Sequence, residues 1–184
     1  MKTILKGLLV VGLFFTQIGD AKAVSQKSED QSVWNNYISV KKTFEKDVHG
    51  LVSTKWPMEA KLSDAHLKME LARLGQKDDQ FDYVLKNNPQ RIDRNKGLDD
   101  FADLDWSSKD QSALVRTDKS YADKSREVAG LEKAYTNLKG RSDFESHLKE
   151  VKGTLEYRSI EDRYHDMVGR LETTWKNIKR DIKN

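Results

Sequence analysis

This sequence predicts an all-α protein: an elongated antiparallel helical bundle of three long helices, with short helices in its middle and a coiled-coil-like C-terminal hairpin. Three observations carry that prediction. Apolar residues recur at steps of three and four through three long stretches. Runs of alternating β-branched residues, the mark of half-buried strands, are missing. Only 2 Pro and 10 Gly interrupt 184 residues, 34% of them charged, and the charges alternate in sign as on solvated helix faces.

The N-terminus reads as an address. Lys2 and Lys6 open it, and an apolar run from Gly7 to Phe15 follows. Ala21-Lys22-Ala23 then puts small residues at the two positions a signal peptidase reads. This three-part layout is that of a secretory signal, with cleavage expected between Ala23 and Val24. The run is too short for a bilayer span, which takes about 20 apolar residues. Residues 24–184 are expected to form one domain, periplasmic or secreted. That mature chain has 161 residues, 30 of them basic and 29 acidic. A sequence-independent nucleic-acid binder needs a surplus of cations to displace counterions, so the balance excludes that class. Zero Cys excludes disulfide scaffolds, thiolate metal sites and thiol nucleophiles. Leu, Ile, Val and Phe make up 33 of the 161 residues, enough for a narrow apolar seam in a chain of low net charge.

Each helix has its signals. Ser28 and Gln31 have capping-box spacing, and Val33, Tyr37, Val40, Phe44, Val48 and Leu51 then form one stripe. Trp56-Pro57 ends this first helix, since the residue before proline is pushed out of the helical region. A short helix is expected over Leu62–Leu74 with Gly75 as its stop, and another over Asp79–Lys86, broken by Asn87-Asn88-Pro89. Residues 88–98 read as a surface loop, and the acidic run from Asp99 to Asp105 as a helix-start cluster. The helical pattern returns from Lys109 to Lys139 through Leu114, Tyr121, Val128, Leu131, Tyr135 and Leu138. Gly140 stops it, and Ser142 with Glu145 caps a new helix so soon that the two must run antiparallel. That last helix extends from Asp143 nearly to the end. Its apolar face rotates between Leu155 and Ile160, so it bends near Gly153 or its halves meet different partners.

Four histidines lie four residues from an acid: Glu45/His49, His66/Glu70, Asp143/His147 and Glu161/His165. The spacing suits a metal or a carboxylate–imidazole pair, but an acid-rich helix produces it by chance and the histidines sit beside the seams. A calcium loop starting at Asp103 would need Gly and Glu where Ser108 and Leu114 stand. Phosphate-cradling glycine loops and a nucleophile elbow are also missing. No cofactor, metal site or catalytic residue is assigned. Trp175 falls on a seam and Trp34 beside one, packing at a helix end. Trp56, Phe101 and Trp106, which bracket or lie in the irregular middle section, are the candidate partner-contacting residues, since large aromatics anchor interfaces as well as cores.

The expectation is an exported, non-enzymatic helical bundle that binds another protein, as an adaptor, chaperone-like factor or secretion-system component. A homodimer would be one way of closing the seams. The alternative is a metal- or small-ligand-binding bundle in the periplasm, resting on the histidine–acid pairs.

Overall fold

The computed structural model describes residues 11–101, 104–139 and 144–178, with side chains from residue 27 onward except 101 and 145. Among them are helices and turns and no strand, so the all-α bundle is found. The helices are α1 (Val11–Lys55), α2 (Ala60–Asn87), α3 (Leu98–Phe101), α4 (Ser108–Thr117), α5 (Lys119–Lys139), α6 (Phe144–Lys152) and α7 (Leu155–Ile178).

The first helix is already running at Ser28, which therefore does not cap it. Residues 20–49 contain neither Gly nor Pro, so nothing in the sequence opposes continuation there. Val33, Tyr37 and Val40 are buried as the stripe requires, and so are Trp34, Ile38 and Val52. The face is broad because α1 is central, with α2 packed on one side and α7 on the other. The helix ends at Lys55, and Trp56 leaves the helical region (φ −129°, ψ 80°) ahead of a 3-10 turn at Pro57–Glu59.

In place of two short helices, α2 is one continuous rod of 28 residues. Gly75 does not stop it, since a glycine stop needs a left-handed backbone and none of the described glycines has one. Leu62 and Met69 before it, and Leu74, Phe81, Val84 and Leu85 around and after it, are buried. Burial of those side chains, roughly 1.5–3 kcal/mol each, outweighs the cost of about 1 kcal/mol for a mid-helix glycine. The rod ends at Asn87 before Pro89, as expected.

Residues 88–98 are not a surface loop. Ile92 and Leu98 are buried in the core, and Arg94 reaches across to the buried carboxylate of Asp30, with Nε donating to Oδ1 at 2.8 Å and Nη2 to Oδ2. The expected Lys109–Lys139 helix is broken at Asp118, which has extended backbone (φ −127°, ψ 107°). Its N–H closes α4 on Leu114 O (2.8 Å) and its carboxylate accepts from Tyr121 N (3.0 Å), starting α5. Ser107 and Asp110 form a complete capping box at the head of α4.

The last helix is broken where its seam rotates. Gly153 and Thr154 turn the chain, and Thr154 Oγ1 accepts from Tyr157 N (3.2 Å) to cap α7. Gly140, Ser142 and their capping box lie outside the described residues. The two arms of the expected hairpin run in opposite directions, but each is seated elsewhere: α5 lies along α2, while α6 and α7 lie against α1.

Two apolar clusters fill the bundle. One centres on Trp34, fully buried in the core and not at a helix end, stacked on Phe81 (4.5 Å, 9°), with Trp175 beyond (6.5 Å from Phe81). The other gathers Val52, Leu62, Phe144, Val151 and Tyr157 where α6 covers α1 and α2.

Candidate functional site

Trp56 and Trp106 serve different parts of the molecule. Trp56, half-buried, packs on the α6-covered cluster and stacks on His147 (5.4 Å, 22°). Trp106 is also half-buried: its Nε1 donates to Gln111 Oε1 (3.0 Å), and its ring meets Tyr83 and Tyr121 edge-on at 5.7 and 6.4 Å. Both have intramolecular seats. The side chain of Phe101 lies outside the described residues.

Of the four histidine–acid spacings, one brings the groups near each other, His66 and Glu70 at 3.9 Å. His49 instead meets Ser63 Oγ (2.9 Å), and His147 meets the buried Glu59 (3.0 Å). Asp143 lies outside the described residues, and His165 is exposed on α7. Among the described residues no three His, Asp or Glu side chains gather as metal ligands would.

Sequence reasoning missed a polar network in which the exposed Asp99 meets two buried tyrosines. Asp99 Oδ1 accepts from Tyr37 (2.8 Å) and Tyr164 (2.6 Å), with Lys41 Nζ 3.6 Å away. Burial pushes the Asp99 carboxyl up, but the two hydroxyls and Lys41 outweigh it and hold it below the ordinary carboxylate value. Burial, and then the hydrogen bond to the same carboxylate, push the Tyr164 hydroxyl well above its ordinary range. Nearby, Arg91 ties Leu104 O and Asp105 O (2.7 and 2.6 Å) to Asp110 (3.0 Å). It thereby holds a turn in which two non-glycine residues have positive φ (55° and 45°). The network is a fixture, since its groups face one another.

Two open cavities lie along one face of α2, and together they outline an interrupted groove. Its first part, about 500 Å³, has Leu71, Ala72 and Gly75 of α2 and Leu131 of α5 as its apolar lining, with Lys68 and Glu127 at the edges. Its second part, about 460 Å³, is lined by Asp79, Asp82 and Tyr83 of α2 and by Leu114, Thr117 and Asp118 at the α4–α5 junction. An ion pair from Lys124 Nζ to Asp79 (2.7 and 2.8 Å) bridges between the two. The α2 residues that line the two cavities run from Lys68 to Asn87, about 28 Å at 1.5 Å per residue. Burial and the neighbouring Asp78 and Asp79 push the Asp82 carboxyl above its ordinary value, against a hydrogen bond from Gln31. The signal for this groove was present as a helical stripe, 68–72–75–79–82–86, but reading Gly75 as a stop divided it.

Comparison with known protein families, with curated proteins and with solved structures found no match. No helix among the described residues is long and apolar enough to cross a membrane.

Proposed function

We propose that the chain is exported, loses its first 23 residues, and acts without catalysis by binding another protein along the groove between α2 and the α4–α5 pair. The observation that supports this reading is the groove itself. Its two cavities are open, bounded by helices and set on one face of α2, a shape suited to a macromolecular segment, whereas small ligands favour concave pockets that enclose them. The mixed-charge surface agrees with specific pairing and the balanced charge argues against a polyanion. Trp56, with Met58 and Leu155 exposed at the same end of the bundle, is the competing contact region.

Site-specific cross-linking in the source cell tests the reading. A photoreactive side chain at Ala72 should join one defined polypeptide, which the purified partner then reproduces. The same group at Asp162, on the exposed face of α7, should not. Equal products at both positions, or none at Ala72, would end the reading. Products confined to Met58 would move the contact to the other region.

A further inference from the structure

We infer that the occupant of the groove is an amphipathic helix of the partner, laid along α2 with small apolar residues against Ala72 and Gly75 and basic side chains beside Asp82 and Asp118. This rests on the protein-binding reading and adds the partner's chemistry.

Gly75 is the first ground. A glycine in mid-helix costs about 1 kcal/mol relative to alanine, and the fold gives no internal reason for it. Its φ is not left-handed, and an added Cβ would meet nothing within 4 Å. Gly97 makes the contrast, because a Cβ there would lie 2.7 Å from Glu172 Oε1. Gly50, Gly130 and Gly169 are equally open but lie on exposed faces, whereas Gly75 is half-buried in the lining of the groove. Room above a glycine admits close approach of another backbone. Span is the second ground: the two cavities lie on one face of α2 over about 28 Å, so a helix of roughly five turns at 5.4 Å each would cover both, passing over the Lys124–Asp79 ion pair between them.

Charge is the third. The end near Leu71 and Leu131 is apolar, while the end near the α4–α5 junction carries Asp79, Asp82 and Asp118, with Lys86 alongside. Lys124 already neutralises Asp79. Asp82 stands near Asp78 and Asp79, whose repulsion Lys124 offsets only in part, so a cation arriving there relieves what remains. An anionic segment would add to it.

The test uses a display library of 20-residue helical peptides, randomised on one face and selected against the exported protein. Enriched peptides should carry Lys or Arg toward one end. They should bind Gly75→Leu and Asp82→Lys at least tenfold more weakly, with each variant's circular-dichroism melt showing that it is folded. If Gly75→Leu does not fold, Asp82→Lys and Leu131→Arg decide. No enrichment, enrichment of acidic peptides, or affinity unchanged in both variants would overturn the inference. A partner still cross-linked through Ala72 would then leave the protein-binding reading standing with a different occupant.

Discussion

Two helices of similar length flank the α1–α2 pair, and they are held by different physics. On one side α7 inserts Tyr157, Tyr164, Val168, Trp175 and Ile178 into the core. On the other side α5 buries Tyr121, Ala122 and Val128. Tyr135 and Leu138, partly buried, pack against the Val52–Leu62 cluster, with Tyr135 beside His66 (5.2 Å), and the remainder of its seat on α2 is a polar ladder: Arg73 to Glu132 (2.8 Å), Gln76 to Ser125 (3.0 Å), Gln80 to Tyr121 (2.9 Å) and Lys124 to Asp79. Buried apolar side chains stabilise by roughly 1.5–3 kcal/mol each, whereas half-exposed ion pairs give about 0–1 kcal/mol. The α7 side is therefore the structural half of the bundle. The α5 side keeps the groove, and with it the surface on which another helix can lie.

The largest effect should follow from cutting the α7 side. Trp175→Ala removes a fully buried ring and should cost about 3–5 kcal/mol in urea unfolding. A cost no larger than the loss of one rung of the ladder would abolish the contrast. Comparable in size is Arg94→Met, which strands the Asp30 carboxylate inside the protein and should cost about 3–5 kcal/mol. Adding Asp30→Leu should recover most of that loss. If the double variant were no more stable than the single, a lone buried charge would not be the cause.

On the α5 side the effects shrink. A double-mutant cycle on Arg73 and Glu132 should give a coupling below about 1 kcal/mol that falls as salt is added. A salt-insensitive coupling of several kcal/mol would make the ladder a structural seat after all. The smallest change is expected from Glu45→Gln. Burial, and then Glu70, raise the Glu45 carboxyl above its ordinary value of 4.5. Its favourable contribution is therefore present below pH about 4.5 and lost as the pH rises through the folded-state value. The variant should melt higher than the native protein at pH 7 and alike at pH 4; an equal shift at both would remove burial of charge as the cause.

Much of the fold was legible because its signals are local. Trp56-Pro57, Asn87-Asn88-Pro89 and Gly153 each end a helix by a constraint on one or two residues, and each does so here. Three misreadings share a different cause. Gly75 looks like a stop until both halves of α2 are seen packed on one partner. Asp118 looks like an exposed helical residue until its carboxylate is seen capping α5. Residues 88–98 look like a solvated loop because Arg94 is charged, and only the fold reveals Asp30 waiting 64 positions away. Of the candidate contacts, Trp56 and Trp106 were visible as unassigned aromatics. Of the groove, the α2 stripe was present and the rest was not, since the other part of its lining comes from helices whose distance from α2 no periodicity encodes.

Native-state hydrogen exchange across α5 and α7 tests the central claim most directly. The two helices can be compared within one sample, so differences in global stability cancel. Amides of α5 should open at a free energy well below that of global unfolding, while those of α7 near Tyr164 and Trp175 should exchange only with it. Equal opening free energies for both helices, or α7 opening first, would contradict the account.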